Sequence, residues 1–192
     1  MKPSVLLILC EGKTEKLYFD SLIQNKRINR TLLSVEVFGN KGQHKTLIKK
    51  CVAMRNKKIK EMKEFFLKKN DIEVWAVCDC DRMRIKYQHL LQYAKDNNVN
   101  LAFSNPQFET YLIQHFEAKR TKNEKTKLIL ELEKYIGSKY DKNNLPWFNE
   151  MIDKDPAVLN FAISNSNKLK NHTKPPFLTV QKLTVRLLEF AK

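Results

Sequence analysis

The sequence predicts an α/β protein in which a four-stranded parallel sheet is sandwiched by helices. Over residues 1–118, short apolar runs alternate with amphipathic segments of helix length, and strands joined in this way form parallel βαβ units. The first run, residues 5–9, is apolar without interruption, as in a strand buried on both faces. From residue 119 onward the pattern indicates helices only. We therefore expect a first domain over 1–118 and a basic helical extension over 119–192 packed on it.

Each predicted element has a local signal. The strands are expected at the apolar runs 5–9, 32–38, 74–78 and 101–103. Helices are expected after Thr14, over 46–69, over 85–94, from Phe108, around 128–136, after Asp155-Pro156 and after Thr179. Thr14 and Thr179 are predicted N-caps, Thr121 and Glu124 a capping box, and residues 164–176 a loop rich in Asn and Lys.

The charge of the chain favours a polyanionic ligand. Lys and Arg number 36 against 21 Asp and Glu, a formal net charge of +15. A field of that sign recruits nucleic acid first and an anionic membrane surface second, and a lysine-rich solvated surface is the alternative interpretation. Two groups of basic residues are candidate phosphate contacts: Lys45, Lys49, Lys50, Arg55, Lys57 and Lys58, and Lys119, Arg120, Lys122, Lys125 and Lys127.

The same composition excludes several classes of protein. Apolar residues make up 42% of the chain and charged residues 30%, which indicates a globular rather than a disordered protein. No apolar run approaches the ~20 residues needed to cross a bilayer, and the N-terminal run lacks a signal-peptide cleavage site. The four cysteines form no C-x-x-C pair, and because three of them fall in or at the end of predicted buried strands, structural thiols are expected. We expect a cytoplasmic protein without a membrane partner.

Acidic side chains follow two of the predicted strands. Glu11 ends the first strand, before Gly12 and a helix whose first turn holds Glu15. Asp79 and Asp81 follow the third strand, and residues two apart in extended chain point the same way. Because ligands collect at the carboxyl ends of parallel strands, these acids are predicted to converge. Close carboxylates repel each other unless a cation lies between them, and Mg²⁺ prefers oxygen ligands.

Separate explanations exist for each of these segments. Gly12-Lys13-Thr14 between a strand and a helix suggests a P-loop, but Leu7 stands where that motif needs a glycine. Complementing the helix dipole also explains Glu15, and a strand-end turn also explains the two aspartates. Because these acids follow two strands of the same predicted sheet, one shared metal site is favoured over the separate explanations.

A further acid, Glu109, begins the fourth helical segment. Ser104 or Asn105 is a predicted cap of this helix, with Pro106 in its first turn. An acid against the apolar face there is costly unless it is paired or metal-bound, and a partly exposed first-turn acid is the alternative. His44 follows the turn after the second strand, so it is a candidate phosphate contact at the same edge.

Taken together, these segments resemble the RloB-like branch of the TOPRIM superfamily. The matching residues are Glu11-Gly12-Lys13-Thr14-Glu15 with Tyr18-Phe19, Asp79-Cys80-Asp81, and Ser104-Asn105-Pro106-Gln107-Phe108-Glu109 with Leu112. The stretch 175–187 also resembles the family's entry into its C-terminal helix, so the resemblance covers nearly the whole chain. Residues 40–44 lack the second Gly and the Pro usual in the family, and no role is carried over there.

The resemblance implies a TOPRIM-like four-stranded parallel sheet, bacterial provenance, antiviral defence such as abortive infection, and nuclease activity. It also implies that Glu11 acts in acid–base catalysis or metal binding, and that Asp79 and Asp81 bind the metal. We therefore predict a Mg²⁺-dependent nuclease, with Mn²⁺ as a substitute ion. Its predicted metal ligands are Glu11, Asp79 and Asp81, assisted in catalysis by Glu15 or Glu109. Its predicted phosphate contacts are Lys13, Arg82 and His44.

The expected substrate is nucleic acid, either RNA such as tRNA or DNA, and the expected partner is an ATPase or another defence-system protein. Two other functions stay open at this stage. One is a non-catalytic nucleic-acid- or partner-binding subunit of a defence or restriction system, in which the acids are structural. The other is a metal-dependent nucleotidyl transferase or primer-synthesising enzyme, because related sheets serve polymerisation.

Overall fold

The computed structural model describes residues 4–26, 28, 33–62, 71–80, 83, 86–118 and 125–191. All structural statements below refer to those residues. Predictions for Asp81, Arg82, Lys119, Arg120, Thr121, Lys122, Glu124 and the side chain of Lys125 lie outside what the structure describes.

Five strands in the described residues form one sheet. They are β1 (Ser4–Cys10), β2 (Leu33–Phe38), β3 (Ile72–Asp79), β4 (Asn100–Asn105) and β5 (Phe177–Leu178), in the spatial order β2-β1-β3-β4-β5. β1 to β4 are parallel, which confirms the predicted α/β class and its four parallel strands. β1 and β3 are neighbours, so their carboxyl ends meet at one edge of the sheet.

β5 contradicts the expectation that only helices follow residue 119. It pairs antiparallel with β4, with Phe177 opposite Asn105 and Leu178 opposite Ser104. A strand of two residues is too short to produce an alternating pattern, so the sequence carries no signal for it. Its pairing makes the C-terminal segment part of the sheet.

Thr179 anchors β5 to β4 at the lateral edge of the sheet. Its backbone N–H donates to the Phe103 carbonyl at 2.8 Å. Its hydroxyl accepts from the Phe103 N–H at 2.8 Å and donates to the Leu101 carbonyl at 3.1 Å. Thr179 does hold the N-cap position of the following helix, as predicted, but without a side-chain capping bond, because its hydroxyl is engaged by β4.

Eight helices occur in the described residues. They are α1 (Lys13–Asn25), α2 (His44–Glu61), α3 (Tyr87–Asp96), α4 (Glu109–Ile113), α5 (Lys125–Ile136), α6 (Pro146–Lys154), α7 (Val158–Ser166) and α8 (Val180–Leu188). α6 has no counterpart among the predicted helices, although Pro146 in its first turn is a favourable start signal.

Several predicted boundaries in the first half are wrong. The N-cap of α1 is Gly12, and Thr14 lies inside the helix, where its hydroxyl donates to the Lys142 carbonyl at 3.1 Å instead of capping. α2 begins at His44, two residues before the predicted start, and ends at Glu61, while the predicted continuation over 63–69 lies outside the described residues. Ser104 and Asn105 belong to β4 and do not cap α4, whose N-cap position is Phe108.

The start of α7 also differs from its prediction. The helix begins at Val158 rather than at Pro156, because Asp155 Oδ1 accepts the Ala157 N–H at 2.9 Å in a preceding turn. Its end, Ser166, reaches into the predicted loop 164–176.

Helices cover the sheet on both faces. Alternate side chains of a strand point to opposite faces, and from Val5 to Cys10 in β1 they are all buried, which explains the uninterrupted apolar run. One face packs against α2 and α3, and the other against α1 and the C-terminal helices. Leu132, Phe148, Leu159 and Leu187 of α5 to α8 share that second core with β1. The division at residue 118 stays a prediction.

Every helix in the described ranges is too short or too polar to cross a lipid bilayer.

Candidate active site at the strand ends

The carboxyl ends of β1 and β3 bring two predicted acids to one place. Glu11 directly follows β1, and its backbone N–H donates to the Val77 carbonyl of β3 at 2.9 Å. Asp79 is the last residue of β3. The parallel pairing of the two strands therefore sets both carboxylates at the same edge of the sheet.

Four carboxylates line one cleft at this edge, with a volume of about 270 Å³. We call it the acidic cleft, and its carboxylates are Glu11, Glu15, Asp79 and Glu109. The loop after β1, α1, β3 and the start of α4 each contribute to it. The cleft is also lined by Gly12, Lys13, Thr14, Gln107, Phe108, Lys142 and Asn143.

Glu15 and Glu109 are the two buried acids of this cleft, with only 6% and 5% of their surfaces exposed. Burial raises the pKa of Glu15 to about 8 against the opposing effect of a backbone hydrogen bond, and the charges of Asp79, Glu109 and Glu11 raise it further. Burial, followed by the charges of Glu11, Asp79 and Glu15, also raises the pKa of the neighbouring Cys78 thiol. At both groups the neighbouring carboxylates therefore add to the effect of burial.

Gly12 leaves the space that the Glu15 carboxylate occupies. A Cβ atom at residue 12 would lie 2.7 Å from a carboxylate oxygen of Glu15. The turn after β1 therefore contains a close approach between a side chain and the backbone, for which only glycine has room.

The connection between α5 and α6 crosses the cleft, which the sequence did not predict. The Tyr140 hydroxyl donates to Glu109 Oε1 at 3.3 Å, and the Thr14 hydroxyl donates to the Lys142 carbonyl. Burial, followed by the charge of Glu109, raises the pKa of Tyr140. Tyr140, Lys142 and Asn143 lie in a polar connection without periodicity, so no sequence pattern marks them.

The predicted phosphate contacts have different positions. Lys13 is exposed and lines the acidic cleft, as does Lys142. His44, the first residue of α2, places Nε2 3.2 Å from the backbone carbonyl of Asp79. A carbonyl only accepts, so this nitrogen carries the hydrogen. Arg82 lies outside the described residues.

The donor set of the cleft is made of oxygen atoms, which suits a hard divalent cation such as Mg²⁺. Among the residues that the structure describes, however, no group of three His, Cys, Asp or Glu side chains has an arrangement that would hold an ion. Asp81, the third predicted ligand, is outside those residues. The metal-ligand roles of Glu11, Asp79 and Asp81 remain predictions.

Fold and site together define an α/β protein with an acid-lined cleft at the carboxyl ends of its parallel strands. The sequence model of the family described as RloB-like protein matches residues 6–187. This chain therefore belongs to the RloB-like family. Comparison with curated proteins and with solved structures gave no significant match.

Proposed function

We propose that this chain is a metal-dependent nuclease of TOPRIM type that acts in bacterial anti-phage defence. The observation that carries the proposal is the presence of four carboxylates in one cleft of a chain whose net charge is +15. Carboxylates so close together repel one another and a polyanionic substrate. A divalent cation among them removes both repulsions.

In this proposal Glu11, Asp79 and Asp81 hold Mg²⁺ or Mn²⁺, with Glu15 or Glu109 assisting. The ion supplies Lewis acidity toward a phosphate oxygen and the attacking water. Lys13 and Lys142, on the cleft lining, neutralise charge that develops on the phosphate. Tyr140 holds the Glu109 carboxylate in position through its hydrogen bond.

The proposal is tested by incubating the purified protein with tRNA, other RNA and plasmid DNA, in Mg²⁺, in Mn²⁺ and in EDTA. We expect strand scission with an ion and none in EDTA. Asp79→Asn should lower the rate by about 100-fold or more, since even outer-shell partners of a metal are worth 10–100-fold. Binding of nucleic acid in EDTA should not weaken, because the substitution removes negative charge.

Asp96→Asn is the matched control for this substitution. Asp96 is exposed at the end of α3, on the opposite edge of the sheet, and its variant should cleave like the wild type. Cleavage that survives in an Asp79→Asn/Asp81→Asn double variant would contradict the assignment of the site. So would the absence of scission for every substrate and ion.

A non-catalytic nucleic-acid-binding subunit is the second candidate. It is favoured by the absence of a ready three-ligand arrangement among the described side chains. It predicts salt-sensitive binding that is independent of divalent ions, with no scission under any condition. The same incubation separates the two functions.

Two features of the proposal concern the cell rather than the site. We place the protein in the cytoplasm, where phage nucleic acid and host tRNA are both accessible. An ATPase or another defence-system protein is the proposed partner, since a nuclease directed at cellular nucleic acid has to be restrained.

A further inference from the structure

The loop between α7 and β5, residues 167–176, forms a second concave surface. Its cleft has a volume of about 240 Å³ and is lined by Lys168, Lys170, Lys174 and Asn171, together with Leu169 and two prolines. The sequence from 156 to 188 contains no Asp or Glu. All three lysines are exposed, and in the part of the chain that the structure describes none of them has an ion-pair partner. Their charge is therefore available to an anionic ligand.

The loop is held in place by its other residues. Leu169 is buried in the core, and the Asn171 Oδ1 accepts from both the backbone N–H and the hydroxyl of Thr173, at 3.0 and 2.7 Å. The His172 ring lies against the Tyr87 ring, with centroids 6.1 Å apart. These contacts fix the backbone from which the lysines project.

Strand register relates this loop to the acidic cleft. Ser104 of β4 pairs with Asp79 of β3 on one side and with Leu178 of β5 on the other. Two inter-strand spacings therefore separate Asp79 from Leu178, about 10 Å. The loop directly precedes β5 at the carboxyl end of β4, the edge at which the acids lie.

We propose that the loop 167–176 binds the phosphate backbone of the nucleic-acid substrate, on the same side of the sheet as the phosphate in the acidic cleft. Lysine ammonium groups make phosphate contacts that position a strand and carry no sequence information. The carboxylates of the acidic cleft do not attract a polyanion, so a separate cationic surface has to supply the affinity for nucleic acid. The inference rests on the proposed function for the location of the reacting phosphate, but the binding itself requires no metal.

The test is a binding titration in EDTA, in which no cleavage occurs. A fluorescent single strand of about twelve nucleotides, within the usual site sizes of single-strand binders, is titrated with wild type and with Lys168→Gln/Lys170→Gln/Lys174→Gln at several salt concentrations. Three lost phosphate contacts should lower the slope of log affinity against log salt by about 2 and weaken binding by about tenfold at physiological salt. The triple Lys→Arg variant retains the charge and should bind like the wild type.

A second triple variant controls for the loss of three charges. Lys26, Lys60 and Lys95 lie at the C-terminal ends of α1, α2 and α3, which lead to the amino ends of the strands. Their replacement by Gln changes the net charge equally at the opposite edge of the sheet. We expect the salt slope of this variant to stay close to that of the wild type.

Several results would overturn the inference. Equal losses in the two Gln variants would mean that only net charge matters. If the loop variant binds the oligonucleotide like the wild type, while the wild type cleaves nucleic acid in the presence of metal, phosphate binding by the loop is refuted and the proposed nuclease activity is not. If the loop variant loses binding to anionic lipid vesicles but keeps its binding to the oligonucleotide, the ligand of the loop is a membrane surface and not nucleic acid. A wild type that neither binds nor cleaves nucleic acid would refute both proposals.

Discussion

At the residue scale, the acidic cleft depends on close contacts that tolerate little change. Glu15 is buried beside three other carboxylates, and its own carboxylate fills the space beside Gly12. The position of one buried acid is thus fixed by the absence of a side chain three residues earlier.

Gly12→Ala should destabilise the protein by about 1–3 kcal/mol, because the added methyl group overlaps the buried Glu15 carboxylate. The measurement is urea unfolding at neutral pH. The same substitution in a Glu15→Ala background should cost much less, since the overlapping atoms are gone. An equal cost in both backgrounds would show that the backbone, not the carboxylate, excludes alanine.

The residues of the cleft differ in how far the sequence reveals them. Glu11 and Asp79 follow apolar runs, so the ends of two buried strands mark them before any coordinates are known. No apolar run or periodic pattern in the sequence points to Tyr140 and Lys142. They reach Glu109 and Thr14 across 31 and 128 positions of the chain, and contacts of that separation follow from tertiary packing rather than from local pattern.

At the element scale, the strands that the sequence predicts are those that contain an apolar run long enough to be recognised. β1 and β3 contain the uninterrupted apolar runs 5–9 and 74–78, whereas β5 has two residues and is recognisable only through its partner β4. α6 went unpredicted although its buried Phe148 and Ile152 have the spacing of one helical face. Thr179 occupies the N-cap position of α8, but its hydroxyl binds β4 and not the helix. A residue type that often caps helices therefore does not by itself predict the partner of its side chain.

Thr179→Val tests the anchoring of β5 to β4. Valine keeps the shape but removes both hydroxyl bonds, so the Phe103 N–H and the Leu101 carbonyl lose buried partners. We expect a loss of about 1–3 kcal/mol in the free energy of unfolding, and faster hydrogen exchange at the Phe103 amide.

Thr126→Val is the matched control, because Thr126 is exposed on α5. Its effect on stability should stay within about 0.5 kcal/mol. An equally small effect at Thr179 would mean that water or a shifted backbone replaces the lost bonds.

At the scale of the whole molecule, one buried polar network joins the two halves of the chain. Tyr18 of α1 donates to His115 Nε2 at 3.1 Å, and Tyr111 of α4 shares a 2.7 Å hydrogen bond with Thr184 of α8. His115 Nδ1 lies 3.1 Å from the Leu112 carbonyl, so this nitrogen is the donor and Nε2 the acceptor.

Burial lowers the pKa of His115 to about 4, against an ordinary value near 6.5 in the unfolded chain. The unfolded state therefore gains a proton first as the pH falls below about 6.5, and stability is lost progressively towards pH 4. From pH 7.5 to pH 5 this group should lower the free energy of unfolding by about 2 kcal/mol.

Between pH 7.5 and pH 5, Glu15 changes the free energy of unfolding in the opposite direction. Because the carboxyl pKa of Glu15 is raised in the folded state, a falling pH favours that state. The informative quantity is therefore the difference between wild type and His115→Gln, measured by urea unfolding at both pH values. The wild type should lose about 2 kcal/mol relative to this variant. His89→Gln, on the exposed surface of α3, controls for the loss of a histidine as such, and an identical pH dependence of wild type and His115→Gln would refute the burial argument.

The crossing of the acidic cleft by Tyr140 and Lys142 has a consequence for biosynthesis. Glu11, Glu15, Asp79 and Glu109 leave the ribosome first, and the segment that covers them is translated afterwards, followed by the strand that completes the sheet. A nascent chain arrested before Tyr140 lacks the hydrogen bonds that join Tyr140 to Glu109 and Thr14 to Lys142. The acidic cleft is thus completed late, when most of the polypeptide has already emerged.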